Sequence, residues 1–317
     1  MAPILAQVGA AGCGSPAAGW YYPPSATSVS ATDPMKVPKR IQPLIEEGLV
    51  DAVLRQLMSG KEATVYVVRC GDDIRCAKVY KEASQRSFRQ AASYLQGRKV
   101  KNSRQARAME KGTRYGRKMQ EEVWQNAEVD ALFRLAAAGV RVPRPHICYE
   151  GVLLMELVTD AAGHAAPRLA ELALSAEQAL DFHAQLLRQV VLMLCAGVVH
   201  GDLSEYNILV DAGGPVIIDL PQAIDAAGNL EAGPMLERDV ANLADCLGRF
   251  APELSTTQYG KEIWGLYSAG LLTPETVLTG RVAAPAQPAD VGAVLREIDI
   301  ARREEEERQR YLLQRQE

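Results

Sequence analysis

The sequence predicts an α+β chain folded as two unequal lobes, a small one built on antiparallel strands and a larger, mostly helical one. Two patterns carry this expectation. Alternating and β-branched runs crowd into residues 49–80, and segments with a helical apolar repeat dominate after residue 160. A third observation bounds it: 317 residues, 48% hydrophobic and 23% charged, suffice for a sizeable core and exclude wholesale disorder.

The elements follow in order. Residues 1–34 carry Ala, Gly, Ser and Pro with Asp33 as their only charge, a composition too poor in apolar surface to order itself, so a flexible tail is expected. No Lys or Arg opens that stretch, so it lacks the basic start of a secretory signal. Residues 49–58 alternate and stop at Ser59-Gly60, residues 63–70 are β-branched and aromatic, and after the Gly71-Asp72-Asp73 turn residues 74–80 make a third strand. Residues 81–120 are polar; between Lys78 and Gln120 thirteen basic residues stand against only Glu82 and Glu110. That charge suits a phosphate-attracting loop, a nucleic-acid docking surface or a solvated helix face, and the sequence leaves the three open.

A helix is expected over residues 121–138, with Val123, Ala127, Ala131 and Leu135 one turn apart, Gly139 closing it and Val142-Pro143-Arg144-Pro145 forbidding continuation. Residues 147–149 and 152–158 read as a hairpin around Glu150-Gly151. Residues 175–196 form a long amphipathic helix, with Ser175 and Gln178 as a capping box. Two short strands, 208–210 and 216–219, flank Ala212-Gly213-Gly214-Pro215, and helices are expected from Glu237 to a charged C-terminal helix over 301–317. The predicted organisation is a tail (1–34), a sheet-rich lobe with its basic loop (36–158), a helical lobe (159–285) and a charged end (286–317).

Charge and cysteines narrow the function classes. A net charge of −4 argues against a nucleic-acid coat or a cationic membrane binder. Six dispersed cysteines without a CxxC pair argue against a zinc knuckle or a disulfide scaffold and for a reducing compartment. Charges or prolines interrupt every apolar run, so no membrane span is expected and the predicted location is cytoplasmic.

The sharpest signal is His200-Gly201-Asp202-Leu203-Ser204-Glu205-Tyr206-Asn207, followed by Ile217-Ile218-Asp219. Phosphoryl transfer to a hydroxyl or to water needs a carboxylate that orients the nucleophile and accepts its proton, here Asp202. It also needs oxygen ligands that hold Mg²⁺ against the phosphates, here Asn207 and Asp219. Upstream, Lys78 lies in the third strand between apolar residues, where it suits a clamp on the α and β phosphates. Glu128, on the apolar side of the following helix, would orient it.

Ser59-Gly60-Lys61-Glu62-Ala63-Thr64-Val65-Tyr66, the Asp202–Asn207 string and Asp219-Leu220-Pro221-Gln222-Ala223 together resemble the RIO family of atypical kinases, particularly its bacterial members, over roughly residues 36–250. The resemblance implies a trimmed protein-kinase fold in which Ser59, Gly60, Lys61, Glu62 and Ala63, with Val65, cover the ATP phosphates. It implies a hinge at Leu154-Met155-Glu156-Leu157-Val158, where the Glu156 carbonyl and the Val158 amide meet adenine with Met155 behind. It further implies ATP with Mg²⁺, or Mn²⁺ in its place, as cofactors, and serine/threonine kinase activity with the protein itself or another protein as acceptor. ATP hydrolysis through a phosphorylated Asp219 and a role in small-ribosomal-subunit maturation, with precursor or RNA contacts through residues 81–120, belong to the same resemblance. Leu220-Pro221 replaces the Phe-Gly of conventional kinases, and only about 20 residues separate Asp219 from Glu237-Arg238-Asp239, too few for a full activation segment. Two other readings compete: a small-molecule phosphotransferase of the aminoglycoside or choline kinase type, which shares His200-Gly201-Asp202, and a nucleotide-gated binding scaffold.

Overall fold

Three successive segments form the first strands of a five-stranded antiparallel sheet: β1 (Ala52–Ser59), the β-branched β2 (Ala63–Cys70) and β3 (Asp73–Tyr80). The hairpin of β4 (Pro145–Tyr149) and β5 (Val152–Glu156) completes it in the order β1-β2-β3-β5-β4. This is a computed structural model, and it describes residues 37–60, 62–81 and 127–282. The expected tail, residues 82–126 of the basic stretch and following helix, Lys61 and the charged C-terminal helix lie outside the described residues.

Strand alternation divides the work of the central strand β3. Ala77 and Val79 pack with Val53, Val68, Val152 and Leu154 against Ile41 and Leu44, which the short helix α1 (Gln42–Glu46) and its N-cap present. That helix was not expected, and it is why β1 starts at Ala52 and not at residue 49. Lys78 and Tyr80 point the other way, toward helix α2, whose described part runs over residues 127–137. Register sets Lys78 between Val65 of β2 and Leu153 of β5. At the β4–β5 turn Glu150 and Gly151 both have positive φ, 49° and 73°, the pair of left-handed residues that a two-residue hairpin turn needs.

The larger lobe gathers around α3 (Ala176–Cys195), which the Ser175–Gln178 capping box opens as expected. Helix α4 (Ala232–Gly248) starts five residues before the expected Glu237, and α5 (Tyr259–Ser268) follows it. Residues 269–282 contain no helix, so the expectation of helix throughout this end is corrected there. Two short antiparallel pairs complete the lobe: β6 (Val198–Val199) with β9 (Ile224–Asp225), and β7 (Ile208–Asp211) with β8 (Gly214–Ile217). Strand β8 stops at Ile217, short of the expected Asp219, because Asn207, opposite Ile218, turns its own amide back to the Ser204 carbonyl at 2.9 Å and Asp219 adopts φ 65°. Side chains then join the lobes. Arg141 donates to both oxygens of Asp211 at 2.7 Å, and Arg134 of α2 pairs with Asp225 at 3.5 Å.

None of the five cysteines among the described residues forms a disulfide, and no helix among those residues is long and apolar enough to cross a membrane.

Candidate active site

The loop between β6 and β7 carries Asp202, and its backbone is held from beneath. Buried Asp239 of α4 accepts the Gly201 amide at 2.7 Å and the Leu203 amide at 3.1 Å. Asn242 donates to the Leu203 carbonyl at 3.0 Å, and Arg238 donates to the Gly201 carbonyl. His200, also buried, sets its Nε2 3.1 Å from the Ile218 carbonyl, while its Nδ1 accepts the Asp202 amide at 3.3 Å. Those two bonds define the tautomer with the proton on Nε2. Gly201 has φ 82°, and a Cβ there would meet the Gln222 carbonyl and Met235 at 2.7 Å, so no other residue fits the turn. With every backbone group of this stretch tied down, the exposed Asp202 carboxylate is aimed outward. Burial, with Asp219 adding to it, pushes its pKa up against the opposing fields of His200 and Arg238 and the hydrogen bond from Asn207.

Asn207 ends a single 3-10 turn (Glu205–Asn207), and its Nδ2 donates to the Asp202 carbonyl at 2.9 Å. That bond leaves its Oδ1 as the outward atom of the amide. Asp219 stands in left-handed backbone, a conformation costly for a residue with a Cβ and concentrated at functional sites. Its Oδ1 accepts from Lys78 Nζ at 2.7 Å, and the same Nζ donates to Glu128 Oε1 at 2.5 Å. Lys78 and Glu128 are buried, whereas the Asp219 side chain is 45% exposed. The ammonium also lies 5.6 Å from the centre of the Tyr80 ring. Burial alone would lower the Lys78 pKa, but Glu128 and Asp219 outweigh it and hold it well above the ordinary value. Burial likewise opposes the Asp219 charge, and the Lys78 ammonium overcomes it, holding that carboxyl below the usual range.

The remaining predicted residues, Lys61 apart, lie on the first strands and on the segment that leaves the sheet. Ser59 ends β1, where its hydroxyl lies 3.1 Å from Lys81 Nζ and 3.3 Å from the Thr64 hydroxyl. The Gly60 amide closes the hairpin onto the Ala63 carbonyl at 2.9 Å. Glu62 accepts the Lys81 amide through its carbonyl at 2.8 Å, and Ala63 and Val65 are buried on β2. Met155 packs half-buried on the main core, and Leu157 is half-buried beside it. The Glu156 amide donates to the Arg144 carbonyl and the Ala166 amide to the Val158 carbonyl, both at 2.9 Å. Neither bond takes the atoms expected to meet adenine.

Four residues went unpredicted as parts of the site. Asp239 had a legible signal, an acid on the apolar stripe of Met235, Leu236, Val240 and Leu243. His200 stood inside the motif without a role. Lys81 and Arg168 had no signal, since their partners come from the fold: Lys81 caps the Gly60 carbonyl at 2.6 Å, and Arg168 donates to the Met58 sulfur at 2.8 Å.

A sheet-rich lobe with a lysine–glutamate pair, facing a helical lobe whose loops carry Asp202, Asn207 and Asp219, defines the protein-kinase class. Residues 64–259 match the family model of the RIO domain, and the chain belongs to that family. A Haloferax volcanii relative named RIO-type serine/threonine-protein kinase Rio1 is 35% identical over 211 residues, 66% of this chain and 68% of its own. A Methanocaldococcus jannaschii protein of the same name is 32% identical over 60% of this chain and 61% of its own. Serine/threonine-protein kinase RIO1 of Chaetomium thermophilum is 30% identical, and the match spans only 41% of its length.

Proposed function

We propose that this chain transfers the γ-phosphoryl group of ATP to a serine or threonine hydroxyl, on itself or on another protein, in the cytoplasm. The observation that carries the reading is Lys78, which bridges Glu128 and Asp219 and so joins the two lobes at the floor of the cleft. Asp202 orients the attacking hydroxyl and takes its proton, and the upward shift that burial gives its pKa makes it the better proton acceptor. Lys78 holds the α and β phosphates, with Glu128 positioning it. Ser59, Gly60, Lys61, Glu62 and Ala63, with Val65, cover the phosphates, and Met155–Val158 form the hinge at which the Glu156 carbonyl and the Val158 amide meet adenine.

Among the described residues no cluster of three or more His, Cys, Asp or Glu could hold a metal ion by itself. The donor set instead fits an ion shared with phosphates: the outward Asn207 Oδ1 and the second oxygen of half-exposed Asp219 are hard ligands of the kind Mg²⁺ takes. Asn207 and Asp219 would hold it, with Mn²⁺ as its substitute, and it would neutralise charge developing on the phosphates.

Purified protein incubated with Mg²⁺ and γ-labelled ATP, with and without cell extract, tests this. Acid-stable label on serine or threonine is expected. Hydroxylamine-labile label would assign Asp219 as acceptor and ATP hydrolysis as the activity, and label found only on small hydroxyl compounds would overturn the protein-kinase reading. Ribosomal precursor or RNA binding through residues 81–120 remains part of the proposal, read out as affinity that falls steeply with salt.

A further inference from the structure

We infer that Arg168 is a further phosphate-binding residue, a cation held at the lip of the cleft to take the triphosphate of ATP. The inference rests on the kinase reading and deepens it.

The backbone beside Arg168 is locked to the strand that follows the catalytic loop. The Val210 amide donates to the Pro167 carbonyl at 2.9 Å, and Arg168 bridges Leu209, two residues past Asn207. The acid nearest in sequence, Glu171, is already engaged: its Oε2 accepts the Arg168 backbone amide at 3.1 Å. The guanidinium therefore reaches away from it, across the cleft, to Met58. A thioether is a weak acceptor, and a guanidinium offers five donors in a planar fork shaped for phosphate. Among the described residues no carboxylate forms an ion pair with it. Such a half-buried cation, resting on sulfur, is a charge still waiting for an anion.

Its position says which anion. Met58 precedes Ser59 at the tip of β1 and lies opposite Val65, the residue that is also opposite Lys78. Arg168 thus approaches from the larger lobe the same gap that Lys78 approaches from the sheet, and its field reaches Asp219. Among the described residues Lys81 is a further cation at this tip, and it is engaged with the Ser59 hydroxyl and the Gly60 carbonyl. A guanidinium there makes charge-assisted, bidentate bonds to phosphate oxygens that it cannot make to sulfur.

Calorimetric titration of the full chain with ATP and with adenosine, repeated for three variants, tests the assignment. Arg168→Ala is expected to weaken ATP binding about tenfold while adenosine changes by less than about twofold. Arg168→Lys should retain more ATP affinity than Arg168→Ala, and Met58→Leu should leave both ligands within about twofold of wild type. Equal losses for ATP and adenosine, an unchanged ATP affinity, a Lys variant no better than Ala, or a Met58→Leu variant that reproduces the loss would each overturn it. Should Arg168→Ala fail to fold in thermal unfolding, Arg168→Gln takes its place. Wild-type protein that binds no ATP would sink the kinase reading itself; wild-type protein that binds ATP, with an equally competent Arg168→Ala, would sink this inference alone.

Discussion

The loop that carries Asp202 and the turn that follows β1 face each other across the cleft, yet they are built on opposite principles. The first rests on buried side chains: Asp239 takes two of its amides, and His200 fastens it to Ile218. The second is exposed at Ser59 and Gly60, where Lys81, a hairpin bond at Gly60 and a hydroxyl contact from Ser59 to Thr64 hold the described residues. Buried, fully satisfied polar networks hold one geometry, whereas exposed hydrogen bonds open and close with little cost. The contrast divides the labour: rigid where a proton and a hydroxyl must be aligned, yielding where a nucleotide must enter and leave.

Substitutions on the two sides should separate chemistry from binding. The largest effect is expected from Asp202→Asn, which should cut phosphoryl transfer by about 10²- to 10⁴-fold in a labelled-ATP assay while nucleotide affinity stays as it was. A matching loss of affinity would show that the two sides are not independent. Next comes Lys78→Met, which strands the buried Glu128 carboxylate beside Tyr80 and should cost about 3–5 kcal/mol in urea unfolding. Adding Glu128→Gln to that variant should restore part of the loss, because the stranded charge is gone.

Acid should loosen the helical lobe through His183. It is buried on α3 with its ring centre 5.5 Å from that of Tyr259, and burial lowers its pKa to about 4. A base held neutral in the folded state contributes stability that is complete above its unfolded value of 6.5 and is lost as pH falls toward 4. The loss amounts to about 3 kcal/mol over that window, and His183→Leu should flatten the dependence of the unfolding midpoint on pH there. A variant as acid-sensitive as wild type would place the liability elsewhere. The smallest effect falls on the yielding side: Lys81→Ala should raise the KM for ATP about threefold with kcat unchanged.

Much of the fold was legible because its signals are local. Strand β2 matches its expected ends, the capping box of α3 formed as read, and Glu150-Gly151 turned the hairpin. The choice of Glu128 among neighbouring acids also followed from helical spacing: Glu128, Ala131, Leu132 and Leu135 share the buried face of α2. Helix α1 was missed because five residues are too few to show a period. The end of β8 was missed because the opposite residue, Asn207, gives its amide to Ser204 and Asp219 turns left-handed, neither of which a turn residue announces.

The amino-acid order alone determined which groups are present and how most are locally set: a lysine amid apolar strand residues, and Asp202 and Asn207 on a short loop. It could do so because strand alternation, helix periodicity and capping act over a few residues. Tertiary structure decided what those groups meet. Lys78 finds Asp219 at 141 positions' remove, Asp239 finds Gly201 at 38, and Arg168 finds Met58 at 110. Contacts of that span arise only when the packed cores bring two lobes face to face, and nothing in the neighbourhood of either partner announces the other.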